Sequence, residues 1–320
     1  MLILLDYPSV DSMKAGVPLA GYPASLFKIA ARYADLGAVE FITLFPHPPR
    51  FENPSNYFHK KKEVPDEAAG NPTSKQLGYL KSEFVPHYNR VRDRCRDANF
   101  ILAMGDLSLW SLTGEKLSDH RGTILYTADD IRIVATHHPR AIVKDHSLLP
   151  VVAMDLKKAR QESQKKTSTF PRRTIHIVED DRDVAEAAQQ ILKAESFAFD
   201  IETANQQITM ICFATSPHEV YVFPLVLPFG EATPAKKQAI ATLMASPKIK
   251  IAHNAVYDLT YLKREGYPIN YPVDDTMLLS HSVEIEWPKS LGFLGSIYCN
   301  EKSWKLLRVG KVKDRNKKDE

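Results

Sequence analysis

The feature that most constrains this chain is a pair of carboxylates inside an apolar run. Residues 195–204 read ESFAFDIETA, where phenylalanine, alanine and isoleucine form a core-strand pattern that Asp200 and Glu202 interrupt. Residues two apart in a strand share a face, so both carboxylates point the same way. Two adjacent like charges raise each other's pKa unless a positive group lies between them. A divalent cation with oxygen ligands meets that need. The alternative is a strand that simply ends in polar residues.

Length and composition restrict the class of protein. The chain has 320 residues, which suggests two domains, and its 44% apolar and 25% charged residues are typical of soluble globular proteins. Three widely spaced cysteines without a CxxC pair argue against a disulfide scaffold, a zinc ribbon or an iron–sulfur cluster. No apolar stretch approaches about 18 residues, and no signal peptide is recognisable. We therefore predict a cytoplasmic protein (host cytoplasm if phage-encoded) that does not contact membranes.

Two stretches divide the chain. Residues 160–174, RQESQKKTSTFPRRT, are polar and charged, which predicts a linker at 161–174 between domains at 1–160 and 175–304. The tail at 305–320 holds seven basic and three acidic residues, a surplus larger than the formal net charge of +3 of the whole chain. We expect this basic tail to bind DNA weakly and with strong salt dependence.

The order of the predicted elements indicates two α/β domains. Before the linker, apolar strands such as MLILLD, NFILAMG and IRIVATHH alternate with helices, which predicts a parallel sheet whose ligands bind beyond the carboxyl ends of its strands. After the linker, FAFDIET, QITMICFAT and EVYVFPLVL read as three successive strands, followed by a helix, a strand and a helix. This order predicts a mixed sheet.

A third carboxylate follows in KIKIAHNAVYDLTYLKREG. Asn254 ends a predicted strand as a helix cap, and Asp258 lies four residues later on the same side of the helix. Alone, this pattern fits a capped helix with one solvent-facing aspartate. Together with Asp200 and Glu202, it fits a two-metal phosphoryl-transfer site. In such a site, ions about 4 Å apart activate water and stabilise the leaving oxygen.

These stretches resemble a known family. FAFDIETA and IKIAHNAVYDLTYL are similar to the first and second motifs of the DEDD 3′–5′ exonucleases, in the form found in family A DNA polymerases. DDTMLLSH and SLGFLGSIYCNEKSWK resemble that family's connecting segments. The resemblance spans Thr174 to Lys305. It implies a ribonuclease H-like mixed-sheet fold and proofreading hydrolysis of DNA at a single-stranded or frayed 3′ end.

The resemblance also implies residue roles. Asp200 would bridge two Mg²⁺ or Mn²⁺ ions, Glu202 would bind one of them near the substrate 3′-hydroxyl, and Asp258 would hold the second through water. Asn254 matches the position that touches the terminal nucleotide. All three carboxylates are thus predicted catalytic and metal-binding residues.

The third motif of the family, Tyr or His followed four residues later by Asp, has no good match. Tyr126–Asp130 lies in the other domain, and Tyr271–Asp275 comes too early after the Asp258 helix. We expect the chain to stop before this motif, as the front part of a phage-type polymerase would. A downstream polymerase segment or subunit would then be a partner.

The first domain resembles a second family. LLDYPSVDSMKAGVPLAGYPASLF is similar to the opening motif of the uracil-DNA glycosylase superfamily, and its matching positions are Pro8, Gly16, Pro18 and Gly21. ILAMGDLSLWSLTG, HRGTI and IVATHHPRAIV resemble later segments, with His138 at the motif histidine. The resemblance implies an α/β/α fold.

The departures from that family fall on its chemistry. Asp6 replaces the motif glutamate, Leu19 replaces the aromatic residue that stacks on uracil, and neither the base-reading asparagine nor the cluster cysteines are present. Flipped-base enzymes depend on stacking and edge hydrogen bonds. We therefore predict a non-catalytic domain in which His138 and Arg140 bind substrate through backbone phosphate.

Three functions remain open from the sequence. The first is a 3′–5′ exonuclease, the second is a non-catalytic DNA-binding accessory protein, and the third is a uracil-DNA glycosylase. Metal-dependent nucleotide release separates the first from the second, and release of free uracil identifies the third.

Overall fold

The computed structural model describes residues 1–62, 64–168, 170–299 and 301, and it divides the chain into two compact units. The first unit contains Met1–Phe170 together with the described residues from Gly292 onward, and the second contains Pro171–Leu291. The predicted basic tail at 305–320 lies outside the described residues. In the described part of the chain, no helix is both long and apolar enough to cross a membrane.

The first unit alternates strands and helices. Its strands are β1 (Leu2–Leu5), β2 (Glu40–Thr43), β3 (Phe58–His59), β4 (Thr73–Ser74), β5 (Gly78–Leu80), β6 (Phe100–Met104), β7 (Ile124–Tyr126) and β8 (Arg132–Thr136). Its helices are α1 (Val10–Ala15), α2 (Gly21–Tyr33), α3 (Val85–Arg96), α4 (Asp106–Thr113), α5 (Leu117–His120), α6 (Pro139–Lys144) and α7 (Leu148–Ser163). Short 3₁₀ helices lie at Arg50–Glu52, Pro54–Tyr57, Asp66–Ala68 and Ser82–Phe84.

The central sheet of this unit has the strand order β2-β1-β6-β8-β7. The first four strands are parallel, as the alternation of strands and helices predicts, but β7 runs antiparallel to β8. The loop between β7 and β8 is a tight turn closed by the Thr127 N–H donating to the Ile131 carbonyl, which is too short for a crossover. β1, β6 and β8 are buried along their whole lengths, so apolar clusters cover both faces of the sheet.

The second unit is built on a mixed sheet, as predicted. Its strands are β9 (Thr174–Ile177), β10 (Ser196–Ala204), β11 (Gln207–Ser216), β12 (Glu219–Pro224), β13 (Ile249–Ala252) and β14 (Val273–Asp275), and its helices are α8 (Asp181–Lys193), α9 (Pro234–Ala245), α10 (Ala255–Arg264) and α11 (Thr276–Val283). The strand order is β14-β13-β10-β11-β12-β9, and β11 alone is antiparallel to its neighbours. A core of aromatic and branched side chains, including Phe197, Phe213 and Phe223, packs against this sheet.

Two boundaries differ from the linker and domain limits predicted from sequence. Helix α7 continues to Ser163, past the predicted start of the linker, and the Arg132 guanidinium donates to the Glu162 and Lys165 carbonyls at its end. Helix α12 (Leu291–Tyr298) groups with the first unit from Gly292 onward rather than with the second. The polarity of the sequence does not predict either boundary, because both depend on contacts between distant segments.

Helix α12 is hydrogen-bonded to a buried ion pair of the first unit. The Arg121 and Asp155 side chains are 8% and 1% exposed, and their Nη1 and Oδ1 atoms lie 2.7 Å apart. Thr136 Oγ1 donates to the other Asp155 oxygen at 2.6 Å, and the Arg121 guanidinium also donates to the Ser296 hydroxyl of α12. A buried carboxylate is stable only when such partners satisfy it.

We expect Asp155→Ala to lower the free energy of unfolding of the first unit by about 3–5 kcal/mol, because Arg121 would remain buried without its counter-charge. Chemical denaturation followed by circular dichroism measures this change. The matched control is Asp129→Ala, which breaks a largely exposed pair with Arg96 at 3.5 Å and should cost less than about 1 kcal/mol. Equal losses for the two variants would contradict the importance of the buried pair.

Candidate active site

Strand β10 presents its two carboxylates on one face. Phe197, Phe199 and Ile201 are buried, whereas Asp200 and Glu202 are exposed, so burial alternates along the strand as the sequence predicts. The strand continues to Ala204, which places the carboxylates within it rather than at its end. The buried face anchors the strand in the core, and the carboxylates therefore stand side by side on the accessible face.

The edge of β10 next to these carboxylates is open. Strand β13 pairs only with Ser196–Ala198 of β10, and the chain then turns into α10. The Ile201 N–H, beyond the end of this pairing, donates to Asp258 Oδ1 of α10 at 3.0 Å. Asp258 is only 3% exposed, so it faces inward rather than toward solvent. This hydrogen bond holds the third carboxylate against the backbone between Asp200 and Glu202.

The electrostatics of Asp258 reflect this position. Burial raises its pKa from 3.8 to about 6; the Ile201 N–H works in the opposite direction, and the negative charge of Asp200 adds to the rise. The repulsion shows that the two carboxylates lie within electrostatic reach of each other. A raised carboxylate pKa beside a second carboxylate is typical of functional sites.

A β-bulge follows these residues directly. The register of β10 against β11 shifts between Glu202 and Thr203, and Thr209 Oγ1 donates to the Glu202 carbonyl at 2.9 Å. Bulges add twist and change the direction of the strand. The bulge therefore sets how the chain leaves the carboxylate pair, and nothing in the composition of the strand predicts it.

Asn254 begins α10 in an unexpected way. It adopts the left-handed conformation, with φ 63° and ψ 48°, and its side chain makes no capping hydrogen bond. Asn254 is therefore at the N-cap position, as predicted, but its side chain does not supply the capping hydrogen bond. Its side chain is exposed at the start of the helix that carries Asp258.

Asp275 performs the capping instead. Its carboxylate accepts hydrogen bonds from the N–H groups of Asn254 at 3.0 Å, Ala255 at 2.8 Å and Met277 at 2.8 Å. Burial opposes the charge, but these donors prevail and lower the pKa of Asp275. Asp275 is 8% exposed and joins the starts of α10 and α11. Asp275 is therefore a helix cap, and an aspartate just before a helix is the sequence signal that identifies it.

The donor set fits a hard divalent cation by its chemistry, since it consists of carboxylate oxygens. Within the described residues, however, no three His, Cys, Asp or Glu side chains already form a metal-binding cluster. One oxygen of Asp258 is engaged with the Ile201 N–H. The three side chains thus lie on neighbouring parts of β10 and α10, and their oxygens are suitable ligands for such an ion.

The predicted residues of the first domain lie in the first unit, near the carboxyl ends of β1 and β8. The Arg140 guanidinium lies 3.9 Å from the ring centroid of Tyr7, which stacks on His138 at 6.5 Å. Asp6 accepts hydrogen bonds from the Ser108 N–H at 2.7 Å and from its hydroxyl at 2.8 Å. The structure therefore groups Asp6, His138 and Arg140, whereas Leu19 packs with the apolar cluster on the helix α2 side.

Burial changes the charges in this group. It raises the pKa of Asp6 to about 7, against the hydrogen bonds of Ser108. It lowers the pKa of His138 to about 3, and the charge of Arg140 contributes in the same direction. His138 is therefore neutral at pH 7. Its Nδ1 accepts from the Arg140 N–H at 3.1 Å, so its Nε2 carries the proton.

Part of the chain is similar to a known family. A 3′–5′ exonuclease family model matches residues 175–318, which is less than half of the chain. This stretch is similar to a 3′–5′ exonuclease domain of the DEDD type, and exonucleases of that type generally use divalent metal ions. Comparison with curated proteins gives no match.

Several solved structures are similar to parts of the chain. The Aedes aegypti Nibbler EXO domain is 15% identical with a TM-score of 0.38, covering 48% of this chain and 82% of that one. Escherichia coli RNase D is 14% identical with a TM-score of 0.34, covering 40% and 34%. The catalytic core of Trypanosoma brucei RRP6 is 16% identical with a TM-score of 0.37, covering 60% and 54%. At these values the likenesses bear on neither activity nor substrate.

We expect Asp258→Asn to stabilise the metal-free protein at pH 8 but not at pH 4. A folded-state pKa near 6, above the usual 3.8, means that the favourable contribution of Asp258 is complete below pH 3.8 and is lost as the pH rises through 6. Asparagine keeps the acceptor for the Ile201 N–H without the charge. In urea unfolding with EDTA across this pH range, the free energy of unfolding of Asp258→Asn should exceed that of the wild type by an amount that reaches about 3 kcal/mol at pH 8. Asp274→Asn, at an exposed position two residues from α11, is the control, and a gain independent of pH would contradict the account.

Proposed function

We propose that Asp200, Glu202 and Asp258 hydrolyse phosphodiester bonds at nucleic-acid 3′ ends with the help of divalent ions. The observation that supports this most directly is the Asp258–Ile201 hydrogen bond, which holds a buried carboxylate between two exposed ones. A structural aspartate has no need of two charged neighbours, because their repulsion destabilises the fold. An exonuclease domain needs that arrangement to bind cations.

Each carboxylate has a role that follows from its position. Asp200 shares a strand face with Glu202 and its charge reaches Asp258, so Asp200 would be the carboxylate that contributes most to holding the ions. Glu202 is exposed and directly precedes the bulge, and we assign it the contact near the 3′-hydroxyl. Asp258 is held by the backbone and would reach an ion through water. When bound, the ions supply an activated water and offset charge on the leaving oxygen.

Asn254 is the proposed contact for the terminal nucleotide. Its left-handed backbone directs the chain from β13 into α10, and its exposed side chain amide is free of capping. An amide offers both donors and acceptors to a nucleotide. Asn254 would therefore orient the terminal nucleotide next to the carboxylates that bind metal.

DNA is the proposed substrate, and proofreading in a polymerase context is the proposed setting. The support is the likeness of FAFDIETA and IKIAHNAVYDLTYL to the exonuclease motifs of family A DNA polymerases. Matched single-stranded DNA and RNA oligonucleotides of the same sequence test this choice. Faster digestion of the RNA would indicate that the substrate is RNA rather than DNA.

We expect slow, metal-dependent release of nucleotides from the 3′ end of a labelled DNA primer by the chain alone. The rate should be low because three carboxylates can fill the coordination sphere of one ion but leave that of a second ion incomplete. With enzyme in excess over primer and Mg²⁺ or Mn²⁺ present, Asp200→Asn should lower the rate at least about 100-fold. Glu195→Gln, an exposed glutamate just before the same strand, is the matched control.

Three outcomes would contradict this proposal: release from the 5′ end, release that persists in EDTA, or release that Asp200→Asn leaves unchanged. Binding of the primer without any release, combined with no Mn²⁺ binding in calorimetry, would support the non-catalytic accessory function instead. Mn²⁺ binding that is lost in Asp200→Ala supports the metal site even where hydrolysis is too slow to follow.

We propose that the first unit contacts nucleic acid without excising bases. The Nη1 of Arg140 is buried and has no hydrogen-bond partner within the described residues, and its nearest carboxylate oxygen, from Glu52, lies 3.8 Å away. The buried Nε2 of His138 likewise has no hydrogen-bond partner there. One charged and one neutral donor thus lack an acceptor, and a phosphate oxygen that reaches them would supply one. This unit lacks an aromatic side chain at Leu19 for stacking on a base.

The chain should therefore bind a uracil-containing duplex and release no free uracil. Arg140→Ala should weaken this binding and lower the salt dependence by about one phosphate contact. Titration at several salt concentrations, with chromatography for free base, measures both. Lys14→Ala removes an exposed cation of the same unit and is the control for the loss of charge alone. Free uracil that disappears in His138→Ala would establish the glycosylase function instead.

A further inference from the structure

Helix α10 is bonded to the β10–β11 hairpin at both of its ends. At its start, Asp258 accepts from the Ile201 N–H, and the Tyr257 hydroxyl lies 2.6 Å from Thr203 Oγ1. Together these contacts fix the first turn of the helix to the part of β10 that carries the carboxylates.

At the far end, a second set of contacts holds the tip of the same hairpin. Glu265 Oε1 accepts from the Ile208 N–H at 3.0 Å, and the Arg264 guanidinium donates to the Gln206 carbonyl. Glu265 is the residue that closes the helix, and its side chain is exposed. Its side chain therefore contributes a hydrogen bond to the hairpin rather than packing in the core.

The two sets of contacts match in spacing. From Asp258 to Glu265 the helix rises by about 10 Å. From Ile201 to Ala204, where the hairpin turns, β10 rises by about the same distance. The helix is therefore hydrogen-bonded to the hairpin at two separate places, beside the carboxylates and near the turn, so that contacts at one place restrict motion at the other.

The part of the hairpin that carries the carboxylates has little support on the β13 side. β13 does not pair with β10 beyond Ala198, and the bulge interrupts the β10–β11 ladder after Glu202. The hydrogen bond to Glu265 ties the segment beyond this bulge to α10. Without the contact at its tip, the strand that carries Asp200 and Glu202 would shift relative to Asp258.

We propose that Glu265 is a positioning residue of the exonuclease site. It touches neither substrate nor ion, and it acts by holding the hairpin so that Asp258 stays against Ile201. This inference rests on the proposed function of the three carboxylates. It adds a residue to that site, at the opposite end of α10 from Asp258.

The experiment compares Glu265→Ala, Glu265→Gln and the control Glu195→Gln. Amide hydrogen exchange at Ile208 and Ile201 is followed by NMR, and Mn²⁺ binding is followed by calorimetry. We expect Glu265→Ala to speed exchange at both amides and to weaken Mn²⁺ binding about tenfold, as loss of a supporting contact does. Glu265→Gln keeps an acceptor oxygen and should retain both properties, and Glu195→Gln should match the wild type.

Two results overturn the inference. If exchange quickens at Ile208 alone, the contact is local and does not position Asp258. If exchange quickens at both amides but Mn²⁺ affinity is unchanged, the contact stabilises the hairpin without serving the site. If the wild-type chain binds no Mn²⁺, the proposed function fails and the inference fails with it. Failure of the proposed function is thus distinguishable from failure of the positioning role of Glu265.

Discussion

The hydrogen bond from the Ile201 N–H to Asp258 is the interaction on which the candidate site depends. Because β13 stops pairing at Ala198, this N–H would otherwise lie buried without a partner, at a cost of about 1–3 kcal/mol. Asp258 satisfies it and is thereby placed between Asp200 and Glu202. The fold needs the contact, and the contact creates a site in which negative charges repel each other. A cation relieves that repulsion.

Asp258 and Asp275 show how the backbone assigns different roles to two buried aspartates. Three N–H groups donate to Asp275 at the starts of α10 and α11, and its pKa is lowered. One N–H donates to Asp258, and its pKa is raised to about 6. Asp275 is therefore a stable structural anion that holds two helices, whereas Asp258 retains capacity for a ligand. The number of N–H donors, which sequence spacing does not reveal, separates the two.

The sequence predicts what depends on local pattern. Alternation places Asp200 and Glu202 on one face of β10, and the order of strands and helices predicts the mixed sheet. It does not predict the cap of α10, assigned to Asn254 but supplied by Asp275, which comes from a later strand. Nor does it predict the antiparallel β7, which follows a tight turn, or the grouping of α12 with the first unit, where Arg121 donates to Ser296. These features arise from contacts between distant segments, which periodicity does not encode.

The central claim is that Asp200, Glu202 and Asp258 bind divalent ions together. Crystals of the chain grown with Mn²⁺ and a short single-stranded oligonucleotide, measured at the manganese absorption edge, test it most directly. The account predicts an anomalous peak bonded to Asp200, with Glu202 and Asp258 beside it and the 3′ end of the oligonucleotide within reach. Manganese bound elsewhere at saturating concentration, with Asp258 still held only by Ile201, would contradict it.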